Sequence, residues 1–220
     1  MGRDDERAPL AAGGDDVVTT LEWARELQAI AQSGLAWSPR EYDRERFEQV
    51  RRVAAEMLSN GGDAAGLEAV FAAEDGHATP KLDVRGAVFR DGGILLVQER
   101  EGGGWSLPGG WVDVGESPSE AVAREVLEES GYAARPVKLL GLFDRDRRKF
   151  PPHLWHIWKV FFLCELERNE QRPLGYETLD ARFFGREQLP EPLRFGAATR
   201  AEIERCFEQR EHAEWPAEFD

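Results

Sequence analysis

The segment from Gly109 to Tyr132 constrains this chain most, because it writes one helix with both ends specified and one face charged. Ser117 with Glu120 three residues on is a capping box, Pro118 takes the first helical position, and Gly131 supplies a left-handed stop. The pattern predicts a helix over about 118 to 130. At ~100° per residue, Glu125, Glu128 and Glu129 fall within roughly 100° of one another, whereas Ala123, Val126 and Leu127 lie on the other side. Three carboxylates held on one face repel each other unless a cation sits among them, and hard oxygen donors select Mg²⁺ or Mn²⁺ over zinc. Glu116, just before the cap, is close enough to join them. Arg124 can orient Glu128 by an i, i+4 pair or act on Glu116.

Charge narrows the partners. The 220 residues carry 28 Lys and Arg against 42 Asp and Glu, a formal net charge of −14. Such a chain repels phosphate polyanions, so bulk nucleic-acid binding is disfavoured and any phosphate ligand needs a bound cation or a local basic patch. No stretch approaches the ~18 apolar residues of a membrane helix, and the acidic N-terminus lacks the basic-then-apolar pattern of a signal peptide. The expectation is a soluble, cytoplasmic protein whose Cys164 and Cys206 are reduced thiols in the core.

Along the chain, residues 1–18 read as a disordered tail, rich in Gly and charge and without apolar period. Residues 19–76 read as a small all-helical module. Its first helix runs from Leu21 to near Gly34, its second from a Ser38-Pro39-Arg40-Glu41 start to Gly61, and its third is capped by Asp63. Three amphipathic helices of this size cannot fully bury their own stripes, so they should pack on the rest of the chain or on another copy, which favours a homodimer formed through them. After a turn-rich linker, residues 80–212 switch to strand patterns. Val84 to Phe89 and Ile94 to Val97 flank an Asp91-Gly92-Gly93 turn, followed by Val137 to Phe143, Trp155 to Leu166 and Ala181 to Phe184, with a closing helix over 197–209. The predicted class is α/β, a mixed sheet covered by helices on both faces.

The stretch resembles the signature of the Nudix hydrolases, matching all seven fixed positions at Gly110, Glu116, Arg124, Glu125, Glu128, Glu129 and Gly131. Tyr132 departs softly, standing where the family usually has an aliphatic residue. The resemblance implies the Nudix α/β/α sandwich and a Mg²⁺-dependent (or Mn²⁺-dependent) pyrophosphohydrolase of a nucleoside diphosphate-linked small molecule. It implies Glu125, Glu128 and Glu129 as metal ligands, with the Gly109 carbonyl completing the shell and one of these acids or a loop acid deprotonating water. Glu177, six residues before Phe183, resembles the family's loop Glu and is a candidate general base or further ligand, with Asp180 as the fallback. Arg124 is placed with the catalytic set.

Candidate substrate contacts are Arg100, which resembles an Arg retained near the substrate, and Arg145 in the Arg145, Arg147, Arg148, Lys149 loop. Trp111, with Trp105, is a stacking candidate, and one of His153 and His156, here His156, is a candidate for base or ribose. His153 and His156 would point to opposite faces of a strand, which argues against a zinc pair. The helical extension together with Lys81 to Gly86 and Trp105 to Trp111 is similar to the bacterial subgroup of ADP-ribose and CDP-choline pyrophosphatases, in which the extension contributes to a homodimer. ADP-ribose-specific members commonly place Pro about fifteen residues past the signature. Here position 148 is Arg, so both substrates stay open. A non-catalytic nucleotide-sugar-sensing module and an RNA 5′-end pyrophosphohydrolase are the alternatives. The first would need a basic DNA-binding domain and the second a basic channel, and neither is written in this sequence.

Overall fold

A computed structural model describes residues 14–148, 150–194 and 197–220. The described residues divide into two compact units, one ending at Thr79 and the other starting at Pro80.

The first unit is helical: α1 (Gly14–Trp37), α2 (Glu41–Ser59) and α3 (Ala64–Ala72). Helix α1 begins earlier than expected and takes in residues 14–18, which by composition read as part of the tail. The expected tail over residues 1–13 lies outside the described residues. Helix α2 does not start on a Ser38 cap. Arg40 is its extended N-cap residue without a side-chain cap, and the Ser38 hydroxyl sits 3.5 Å from Asp43 Oδ2 instead. Asp63 caps α3 as read, its carboxylate accepting from Gly66 N–H at 2.8 Å.

The second unit is a mixed seven-stranded sheet between two helices. Its strands are β1 (Lys81–Arg90), β2 (Gly93–Glu99), β3 (Trp105–Ser106), β4 (Ala134–Asp144), β5 (Ile157–Leu166), β6 (Thr178–Phe184) and β7 (Glu218–Phe219). The order is β3-β2-β1-β5-β4-β7, with β6 also paired to β2. The β1–β2 hairpin closes on Asp91 (φ 50°) and Gly92 (φ 81°), the pair of left-handed residues that a two-residue turn demands. Helix α4 (Pro118–Ser130) carries the capping box of Ser117 and Glu120 and ends at Gly131 with φ 73°. Its Ala121, Val122 and Val126 are fully buried against Val84, Val88 and Val160, so each valine contributes ~1.5–3 kcal/mol of burial. Helix α5 (Arg200–Glu211) covers the opposite face through Ile203, Cys206 and Phe207 against Ala87, Phe143 and Phe161. Both cysteines are free and buried.

Gly86 fixes how closely α4 lies on the sheet. A Cβ there would strike the Val126 and Val122 methyl groups, so only glycine lets the helix seat on β1 at this distance. Tyr132, the soft departure from the motif, is buried edge-on against Phe183 and accepts from Arg90 Nη1 at 3.2 Å.

Candidate active site

The segment before α4 runs extended alongside β1, bridged to it at Asp83 and Trp111. Val84 N–H donates to the Gly110 carbonyl (2.9 Å), Gly86 N–H to Pro108 (2.8 Å) and Val112 N–H to Leu82 (3.1 Å). This pins the Gly109-Gly110 turn between β1 and the acidic face of α4. Gly109 has φ 146°, a conformation reserved for glycine, and a Cβ on it would run into the Val84 carbonyl oxygen. Its N–H donates to Glu129 Oε2 at 2.8 Å, which ties the turn to the helix.

A cleft of about 780 Å³ opens over this junction. One side carries the Glu125 and Glu129 carboxylates, Gly109 and Gly110; the lining also includes Glu177, Arg100, Trp111, Arg124 and Arg145, so these nine residues and motif glycines singled out from sequence meet in one place. Glu177 arrives because the preceding loop is hooked onto the end of α4, with Gly175 N–H donating to the Glu128 carbonyl at 3.1 Å. Arg100 holds that loop through Nε to the Tyr176 carbonyl at 2.8 Å. Trp111 is 45% exposed and free to offer a ring face, with the His153 ring centroid 6.4 Å away.

Several expected residues fall elsewhere. Glu128 is not in the cleft; it stands on its rim, largely exposed, 3.2 Å from Arg124 Nη1. His156 also lies outside, paired with Asp144 at 3.1 Å, and His153 lines the cleft in its place. The periodicity argument failed there because β5 begins only at Ile157, so both histidines sit in an irregular turn rather than on a strand. Trp105 is buried edge-to-face on Phe184 and cannot stack a base. Of the basic loop only Arg145 enters the cleft, buried, while Arg147 pairs with Asp144 and Arg148 with Asp220; Lys149 lies outside the described residues. Asp180, the fallback acid, lies within β6 and does not line the cleft, its carboxylate accepting from Ala181 N–H and pairing with Arg182.

The cleft also holds charges that the motif did not flag. Asp83 and Arg85 on β1 and Lys159 on β5 are almost fully buried, and Asp83 is paired in register with Lys159. Arg85 makes a bidentate contact to Asp83 (2.9 and 2.7 Å), and Lys159 reaches the same carboxylate at 3.0 Å. A period-two placement of Asp83 and Arg85 inside an apolar strand was the available signal. Glu99 and Arg194 pair across the mouth, joining residues 95 positions apart, a distance no local pattern bridges.

The electrostatics follow from this crowding. Burial raises the Glu129 carboxyl to about 7, assisted by the nearby Glu125 and Glu177 charges and opposed by Arg85 and the Gly109 N–H. Burial likewise raises Glu125, with Arg124 pulling the other way. Arg124 lies among Glu116 (2.8 Å), Glu125 (2.8 Å) and Glu128 (3.2 Å), so its guanidinium aligns three carboxylates at once. Two desolvated, mutually repelling carboxylates beside the Gly109-Gly110 turn, with the loop acid Glu177 lining the same cleft, form a hard oxygen donor set, and that set fits Mg²⁺ or Mn²⁺. Among the described residues, Asp144, Asp146 and His156 form a second, more exposed group whose ligand atoms lie within 4.8 Å of one another. No helix among the described residues is long and apolar enough to cross a membrane.

Comparison with known proteins agrees with the signature. The NUDIX domain model matches residues 79–205, and the model of the UDP-X-like, N-terminal oligomerisation domain matches residues 19–70. "Putative ADP-ribose pyrophosphatase YjhB" of Bacillus subtilis (strain 168) is 41% identical over 202 residues, spanning 91% of this chain and 96% of that one. A solved ADP-ribose pyrophosphatase from Streptococcus suis is 39% identical with TM-score 0.59, covering 64% of this chain and all of that one. A solved UDP-X diphosphatase is 31% identical with TM-score 0.59 and covers 93% of this chain and 99% of that one. With the domain model spanning more than half its length and the signature residues gathered about one cleft, this chain belongs to the Nudix hydrolase family.

Proposed function

We propose that the protein is a Mg²⁺-dependent pyrophosphohydrolase that splits the diphosphate of a nucleoside diphosphate derivative of the ADP-ribose, CDP-choline or UDP-X type into a nucleoside monophosphate and a phosphorylated remainder. The observation that carries the reading is the convergence of Glu125, Glu129 and Glu177 on the one cleft that also presents Arg145 and Trp111. Glu125, Glu129 and the Gly109 carbonyl would hold the cation, with Glu177 and the rim residue Glu128 as further ligands. Bound there, Mg²⁺ supplies charge neutralisation for the diphosphate and lowers the pKa of coordinated water.

The chain's own residues do the rest. Arg124 orients Glu125 and Glu116, and the Gly109 N–H fixes Glu129. Glu177, or Glu129 once ionised, takes the proton from the attacking water. The water oxygen bonds to one phosphorus as the bridging P–O bond breaks, leaving two phosphate monoesters and a released proton. Arg100 and Arg145 draw the diphosphate in, and Trp111 offers a face for the base with His153 beside it.

The N-terminal unit supports a homodimer. Trp23, Ile30, Trp37 and Tyr42 are exposed on α1 and α2, apolar surface of the kind a second copy would cover. The activity is tested by nucleotide release from ADP-ribose, CDP-choline, UDP-sugars, NADH and 5′-triphosphate RNA, each with Mg²⁺ and with EDTA. Metal-dependent AMP, CMP or UMP release supports the reading and names the head group. Silence on all with saturable ADP-ribose binding would favour a sensing module, and hydrolysis of the RNA alone an end-processing enzyme.

A further inference from the structure

Lys159 is the most deeply buried cation of the cleft, 1% exposed, and the reaction as proposed gives it no task. Its one hydrogen-bonding carboxylate, Asp83, already receives two bonds from Arg85. Asp83 is thus the carboxylate hydrogen-bonded to both buried cations, while Glu129 and Glu125 act on Arg85 through space. The strongest electrostatic influences on Lys159 are Arg85, Asp83 and Arg145, two repulsive and one attractive. Burial first and Arg85 second push its ammonium down to about 8, as expected of a cation whose counter-charge is shared. The Phe150 ring lies 5.2 Å from Nζ and shields that side from water. A fold gains nothing from an extra buried charge at this depth, because the Asp83–Arg85 pair is complete without it.

We infer that Lys159, with Arg145 beside it, forms an anion subsite on the cleft floor that receives non-bridging phosphoryl oxygens of the diphosphate independently of the metal. The inference rests on the reading of the cleft as a diphosphate site. An ammonium has three N–H bonds, and Asp83 takes one, so donors remain for a phosphoryl oxygen. A phosphate arriving here restores charge balance in a low-dielectric pocket, where such contacts are stronger than in water. The acidic wall and the cationic floor then divide the ligand between them. Asp83 and Arg85 act as positioning residues that hold the lysine in register.

The test is binding of inorganic pyrophosphate to the full chain at pH 7 in EDTA, by calorimetry, with the melting temperature of the ligand-free protein measured alongside. Lys159→Met keeps length and volume and leaves the Asp83–Arg85 pair intact. It is expected to weaken pyrophosphate binding at least tenfold while melting at or above the parent temperature; Lys159→Arg, which keeps the charge, is expected to bind within about threefold of the parent. Binding by the Met variant within twofold of the parent overturns the proposal. So does a Met variant that fails to fold or melts more than about 5 °C lower, because the lysine would then belong to the fold. Absence of pyrophosphate binding by the parent also overturns it. Because no metal is present, these results stand apart from the hydrolysis panel: the enzyme reading can fail there while the anion subsite holds, and the reverse.

Discussion

A buried carboxyl that titrates near neutrality makes metal binding pH-dependent over a defined window, and Glu129 provides that handle. Its ordinary value of 4.5 is raised to about 7, burial being the main cause. A divalent cation binds the ionised form, so protons and metal compete. For a single site with this pKa, the apparent dissociation constant for Mn²⁺ should be about eightfold weaker at pH 6 than at pH 7.5, and nearly constant above pH 8. Glu129→Gln removes the titrating group, weakening binding throughout and flattening the profile. The same shift sets a stability trend without metal. The native state retains the Glu129 proton where the unfolded state has lost it, so this contribution is full below about pH 4.5 and fades as pH rises through about 7. The assay is isothermal titration of Mn²⁺ from pH 6 to 8, with thermal unfolding in EDTA at each pH. Parent affinities equal within twofold between pH 6 and 7.5, or an unchanged profile in Glu129→Gln, would refute the reasoning.

Three further outcomes follow from single side chains. Gly109→Ala places a Cβ against the Val84 carbonyl at φ 146° and displaces the N–H from Glu129, so hydrolysis should fall by about a hundredfold or more, read as kcat/KM; a loss under fivefold would count against the turn's role. Ser117→Ala deletes one half of the α4 capping box and should cost ~1 kcal/mol, seen as a melting temperature lower by about 2–4 °C with KM unchanged. Trp111→Ala should raise KM about tenfold with kcat within threefold, since in the proposed reaction the ring would stack the base and take no part in proton transfer; an equal drop in kcat would place it in the chemistry.

What could be read from the chain beforehand was whatever local pattern dictates. The limits of α4 were legible because Ser117, Pro118, Glu120 and Gly131 each state a boundary, and the β1–β2 turn because Asp91-Gly92 can do little else. The long apolar run that became β5 was legible by composition, though not its start, since the irregular turn at His153 to His156 depends on contacts such as Trp155 N–H to His153 Nδ1. Motif spacing located Glu125 and Glu129, yet it treated all three glutamates alike. In the structure Glu129 turns inward to the Gly109 N–H while Glu128 stays largely exposed beside Arg124, a difference set by what packs around α4. The floor of the cleft was hidden for a different reason. Lys159 meets Asp83 across a parallel pair 76 residues apart, and its apolar neighbours disguised it as one polar residue in a core strand.

In the proposed reaction the inward carboxylates of α4, beside the Gly109 turn, bind the divalent cation on which hydrolysis in this cleft depends. An anomalous difference map from crystals soaked in Mn²⁺ tests it most directly. The strongest peak is expected against the carboxylates of Glu125 and Glu129, near the Gly109 carbonyl. A peak found only at Asp144, Asp146 and His156, with none on α4, would contradict it.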